Sequence, residues 1–147
     1  MYQKILIPTD GSELANKGLE HGLRLAAATG AKAVVLTATE PWQPIDAGQV
    51  WGGSSILMEE YNKRSRDSAD AILAHATKRA AELGAACEPL YQPDRYPADA
   101  ILDAAKSEGI DLIVMATHGR RGLNRLLLGS QANVVVTHSL VPVLMVR

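Results

Sequence analysis

Asp111-Leu112-Ile113-Val114-Met115-Ala116-Thr117-His118-Gly119-Arg120-Arg121-Gly122-Leu123-Asn124-Arg125-Leu126-Leu127-Leu128-Gly129-Ser130 is the stretch around which the chain is organised. Its opening, Asp111 to Met115, is an apolar run that reads as a buried strand. Its end, Gly129-Ser130, starts a second apolar segment, Ala132 to Val136, that reads as a helix. A strand, a basic glycine-bearing loop and a Gly-Ser helix start make an anion cradle, because free backbone N–H groups and the positive end of the helix dipole point the same way.

Outward from this stretch, strands and helices alternate. Lys4-Ile5-Leu6-Ile7-Pro8 is a short branched run stopped by proline, as in a strand buried on both faces. Thr9-Asp10-Gly11-Ser12 is a turn with Ser12 as helix N-cap. Leu14, Gly18, Leu19, Gly22, Leu25 and Ala26 recur at helical spacing from Glu13 to Thr29, and Gly30 supplies the C-terminal cap. Ala33 to Thr39 is a second strand. The segment from Pro41 to Ser55, with Trp42 and Trp51, has poor periodicity and reads as a surface excursion.

A long helix from about Leu57 closes at Gly84, with Tyr61, Ala69, Ile72, Ala76, Ala80 and Leu83 on one side. Ala85 to Tyr91 is a strand whose Pro89 predicts an edge position. Pro97 opens a helix that runs to Gly109, and Val141 to Val146 is a last strand. This alternation predicts an α/β domain, a single parallel sheet doubly wound with helices on both faces. Ligands bind such sheets beyond the carboxyl ends of the strands, where the strand order reverses. The turn at Thr9-Asp10, the exit of strand two at Ala38 and the glycine loop can meet there.

Bulk properties narrow the function. A chain of 147 residues is the size of one domain. A net charge of −1 argues against a general nucleic-acid coat. Cys87 is the only cysteine, so there is no internal disulfide framework, multi-cysteine zinc site or CxxC pair, which suits a reducing compartment. The amino terminus lacks an export-type apolar region and no apolar stretch approaches the ~20 residues of a membrane helix. The expectation is a soluble cytoplasmic protein.

The segments YQKILIPTDGS (Tyr2 to Ser12), DLIVMATHGRRGLNRLLLGS (Asp111 to Ser130) and VPVLMVR (Val141 to Arg147) resemble the universal stress protein family, in order along essentially the whole chain. The resemblance implies one domain over residues 1–147, with a five-stranded sheet of order 3-2-1-4-5, the adenine-nucleotide alpha hydrolase-like fold. Nucleotide-binding members carry Gly, two residues, Gly, nine residues, then Gly and Ser or Thr. The register here gives Ala116, Gly119, Gly129 and Ser130, with alanine in place of the first glycine.

The resemblance further implies ATP as ligand. Gly119, Gly129, Ser130 and the amide of Gln131 would hold the phosphates, and Pro8, Thr9 and Asp10 would line the site after strand one. Asp10 would accept from a ribose hydroxyl or act through Mg²⁺. The backbone at Ala38 would face adenine, and His118 lies in the cradle. Arg120, Arg121 and Arg125 either neutralise phosphate or are simply solvated. Residue chemistry alone leaves Gly119, Gly129, Ser130 and Asp10 readable as turn and cap residues.

Two functions follow from the resemblance: a nucleotide-dependent regulatory protein of the stress response, or a nucleotide-independent homodimeric interaction module; under both, the chain is expected to dimerise through Val143 to Val146. Either acts on a protein partner that the sequence does not identify, without nucleic acid or membrane. An efficient enzyme is not expected, although the resemblance leaves room for slow ATP hydrolysis. His118 has no Ser or Cys elbow and no evident partner carboxylate, and His21, His75 and His138 lack metal-ligand spacing. The Ser-Gly-Gly pyrophosphate loop, the P-loop and the Rossmann fingerprint are absent. Trp42 reads as a core cover or a base-stacking ring, and Cys87 as a small buried apolar residue.

Overall fold

A computed structural model describes residues 1–44, 54–118 and 127–147. Along the chain come β1 (Lys4–Pro8), α1 (Glu13–Thr29), β2 (Lys32–Ala38), α2 (Ser54–Leu83), β3 (Cys87–Gln92), α3 (Pro97–Ser107), β4 (Leu112–Ala116), α4 (Ser130–His138) and β5 (Val143–Val146). The strands form one sheet of order β3-β2-β1-β4-β5, parallel in every pair, as the resemblance implied.

Strand alternation divides the core into two layers. Ile5, Ile7, Val35 and Val114 pack against Leu19, Leu23 and Ala26 of α1 and Ala69's neighbours Leu73, Ala76 and Ala80 of α2. Leu6, Val34, Ile113 and Met115 pack against Ala98, Ile101 and Ala104 of α3 and Ala132 and Val135 of α4. The sheet is therefore covered on both faces, which is why β4 and the Ile5-Leu6-Ile7 centre of β1 are apolar throughout.

The expected local signals carry through. Ser12 Oγ accepts from Ala15 N at 3.2 Å, and Gly30 closes α1 with φ 73°. Pro89 does lie on an edge strand. Ala33 N donates to Ala86 O and Thr39 N to Gln92 O. Even-numbered residues of β3 thus face β2, and the missing N–H of Pro89 falls on the outer side, where no ladder bond is lost.

Differences are of two kinds. Boundaries move by a few residues: α2 begins at Ser54 and β5 at Val143. The buried stripe of α1 is Ala15, Gly18, Leu19, Gly22, Leu23 and Ala26; Leu14 and Leu25 are only half-buried. The two glycines bring α1 close to the sheet, so the line of closest approach, rather than the largest side chains, selects the inner face. In α2, likewise, Leu73 is buried while Tyr61 and Ile72 are half-buried.

Candidate functional site

The site begins where two adjacent strands part. The register between β1 and β4 consists of Ile5↔Leu112 and Leu6↔Ile113, although β1 continues to Pro8 and β4 to Ala116. Proline supplies a reason. Thr9 N donates to Leu36 O and Asp111 N to Lys4 O, so odd residues of β1 face β2 and even residues face β4. Pro8 is even, and it has no N–H to offer β4. The β1–β4 ladder thus ends at Leu6↔Ile113, towards the carboxyl end of the sheet, the position at which strand order reverses and ligands bind in such sheets.

On the β1 side the exit is held tightly. Thr37 Oγ1, buried, donates to Thr9 O at 3.0 Å, and Thr9 Oγ1 accepts from Gly11 N at 3.2 Å. Asp10 Oδ1 accepts from Ser12 N at 3.0 Å, a local Asx turn. The carboxylate of Asp10 is thereby fixed at the lip just ahead of α1.

On the β4 side, Thr117 N donates to Val146 O at 3.0 Å and Gly129 N donates to Thr117 O at 2.9 Å. The second bond pins the start of α4 to the end of β4. A Cβ at Gly129 would stand 3.1 Å from Thr117 O, so the glycine permits this approach; its φ of −58° is ordinary. Gly129 N–H is engaged by Thr117. Within α4, hydrogen bonding starts with Asn133 N to Gly129 O at 2.8 Å. The amides of Ser130, Gln131 and Ala132 therefore have no partner inside the helix and crown its N-terminus. Ser130 is exposed there. The Gln131 side chain reaches across to accept from Ala98 N at 2.9 Å, capping α3 where Tyr96 supplies no side-chain cap.

Ala116 fits this arrangement. Its main chain is regular strand paired with Val146, and Asp94 is the one non-glycine with positive φ among the described residues. Alternation sends its methyl to the same face as Leu112 and Val114, towards α1, and away from the α3 and α4 layer. Replacing glycine by alanine at this position costs the backbone nothing. The close approach comes instead from α1: a Cβ on Gly18 would lie 3.0 Å from Ala116 N.

The β2 exit forms the far wall. Leu36 faces β1 and Thr39 faces β3, so Ala38 N–H and C=O point to the β1 side, two residues past the last β1–β2 pair, Pro8↔Leu36. Thr39 Oγ1 and Tyr91 Oη share a hydrogen bond of 2.8 Å, Tyr61 Oη donates to Glu40 O at 2.7 Å, and Arg95 N donates to Thr39 O at 3.0 Å.

The expected residues Pro8, Thr9, Asp10, Ala38, Ala116, His118, Gly129, Ser130 and Gln131 thus gather at one end of the sheet. Gly119, Arg120, Arg121, Arg125 and Trp51 lie outside the described residues. The ring of His118 contacts its neighbour Thr117, Nδ1 to Oγ1 at 3.2 Å. Trp42 stands half-buried in a shallow groove with Met58, Arg66 and Tyr91. Cys87 is half-buried rather than buried, and that burial pushes its thiol above the usual range, an unreactive setting. No group of three or more His, Cys, Asp and Glu is placed to hold a metal, and no helix is long and apolar enough to cross a membrane, among the described residues.

Thr37, Gly18, Tyr61 and Tyr91 were not singled out as site residues. Thr37 carried a signal, a hydroxyl inside an otherwise apolar strand, which is satisfied when buried only by a specific acceptor. The tyrosines carried none, because their partners are distant in sequence.

The whole chain, residues 1–147, matches the family described as Universal stress protein family. A universal stress protein of Thermus aquaticus is 37% identical over 147 residues, covering all of both chains. The solved structure of MJ0577, a universal stress protein of Methanocaldococcus jannaschii, superposes with a TM-score of 0.77 at 28% identity, covering 99% of this chain and 96% of that one. A universal stress protein solved in complex with cAMP superposes with a TM-score of 0.70, also at 28% identity, covering 99% and 97%.

Proposed function

The chain belongs to the universal stress protein family, and from that membership we propose that it is an adenine-nucleotide-binding regulatory protein of the stress response, acting in the cytoplasm. The observation that carries the reading is the parting of the β1–β4 ladder after Leu6↔Ile113, with the start of α4 and its N-terminal amides tied to the end of β4 beside it. The cAMP complex of a relative at 28% identity supports the ligand class.

The donor set suits a nucleotide from end to end. The amides of Ser130 and Gln131, with the Ser130 hydroxyl, suit phosphate oxygens. Asp10, a carboxylate, suits a ribose hydroxyl, or a Mg²⁺ ion that the phosphates share. The main chain of Ala38 suits the base. ATP is the nucleotide we favour, since the family register extends the cradle to Gly119.

The mode of action is binding rather than turnover. His118 turns its ring to Thr117, and efficient phosphoryl transfer needs a group that orients the attacking nucleophile. Nucleotide changes the surface that the protein offers to a partner only by its differential affinity for two states of the protein. A second copy docks through β5, the open edge of the sheet, whose Leu144 is 37% exposed.

Calorimetric titration with ATP and Mg²⁺ tests the reading, beside a Gly129→Glu variant that fills the approach to Thr117 and adds negative charge. We expect micromolar binding by the wild type and none by the variant. No heat with ATP, ADP, AMP or cAMP overturns the nucleotide reading and leaves the nucleotide-independent homodimeric module.

A further inference from the structure

A helix N-terminus holds a phosphate whatever base it carries, so all discrimination among bases must come from outside the α4 cradle. At the base end the wall is main chain, and main chain recognises a base only if it is held still.

The overhang of α2 does the holding. This helix has 30 residues, about 45 Å of length, far more than a strand of the sheet spans. Its second half packs on the core through Ala69, Leu73, Ala76 and Ala80, while its first half projects past the carboxyl end of β2. Tyr61 in that overhang ties Glu40 O. Arg66, also in it, places its guanidinium over the Tyr91 ring, 5.6 Å from the centroid, and Tyr91 in turn ties Thr39. The two residues after Ala38 are thus fixed by side chains from two other elements, beyond the point where ladder bonds to β1 end.

We propose that Tyr61 and Tyr91 are positioning residues for base specificity, fixing Ala38 so that its N–H and C=O meet the acceptor and donor on the edge of adenine and reject guanine. The inference rests on the nucleotide reading above. Adenine offers a ring-nitrogen acceptor beside an amino donor; guanine in the same pose offers a ring N–H beside a carbonyl, so both bonds become clashes of like kind. Buried donors and acceptors that meet the wrong partner lose their hydrogen bonds and still bear the desolvation cost. A loosely held wall shifts to suit either base.

The test is competition of ATP and GTP against a fluorescent adenine nucleotide, with wild type, Tyr61→Phe, Tyr91→Phe and Thr39→Val. The last removes the Tyr91 hydrogen bond from its other end, keeping the ring and its Arg66 contact. The preference for ATP over GTP should fall about tenfold in each variant, the scale of one hydrogen bond. Tyr91→Phe combined with Thr39→Val should lose no more than either alone. A lower melting temperature with an unchanged ATP-to-GTP ratio overturns the inference and makes the tyrosines merely structural. A wild type that binds neither nucleotide overturns the nucleotide reading and this inference with it.

Discussion

Gly22 and Gly18 lie four residues apart on the inner face of α1, but they face different neighbours. A Cβ on Gly22 would meet Ile7 Cδ1 at 2.6 Å and Cγ1 at 2.8 Å, the outer atoms of a side chain. A Cβ on Gly18 would meet Ala116 N at 3.0 Å and Met115 C at 3.4 Å, which are backbone. Alanine gains about 1 kcal/mol of helix propensity over glycine, while overpacking a filled core costs about 1 to 3 kcal/mol. Both alanine variants should therefore be destabilised, by about 1 kcal/mol, in urea unfolding. Only Gly18→Ala should also weaken ATP in the calorimeter, since it displaces the β4 main chain at the proposed site. Helical spacing placed both glycines on the apolar side; it gave no means of telling a side-chain neighbour from a backbone one.

Between elements, α1 and α2 are tied by a surface ion network. Arg79 donates to both oxygens of Glu20, each at 2.7 Å, and also to Glu82, while Arg24 joins Glu20 from the following turn. The Arg79 hydrogen bonds, with Arg24 assisting, hold the Glu20 carboxyl down from 4.5 to about 2. A carboxyl depressed in the folded state contributes stability that is present above its unfolded value and lost as the pH falls through the folded one. The contribution should therefore fade between roughly pH 4.5 and pH 2, and 0.5 M salt should weaken it, because the partners are partly exposed. In urea unfolding, Glu20→Gln should be less stable than wild type at pH 7, and the two should converge near pH 2. A gap that is the same at both pH values would show that the pair adds nothing. The helices themselves were legible from caps and periodicity; this tie joins residues 59 apart in sequence, which no local pattern encodes.

At the scale of the molecule, one sheet edge is blunted and the other is open. On β3, Pro89 and the Lys32–Glu88 ion pair occupy the outer strand and its border. On β5, Leu144 is exposed and Val143, Met145 and Val146 are half-buried. An open apolar edge invites a second strand; the occupant proposed above is the same strand of a second copy, which would close the contact in a two-fold dimer. Sedimentation velocity at micromolar concentration should give a dimer for wild type and a monomer for Leu144→Lys; wild-type monomer throughout the range would remove the dimer from the proposal.

The sequence by itself determined the layered parallel sheet, the existence and order of the helices to within a few residues at their ends, the edge position of β3 and the cluster of loop residues at the carboxyl end. These depend on chemistry read within a few residues: period, caps, proline and glycine. The tertiary structure alone decided that β1 and β4 part beyond Leu6↔Ile113, that the methyl of Ala116 points towards α1, that Gly129 N–H is engaged by Thr117, and that tyrosines from α2 and β3 hold the β2 exit. Each of these follows from which groups of different elements face one another. That is set by ladder parity and close approach in space, and it exists only once the core has packed.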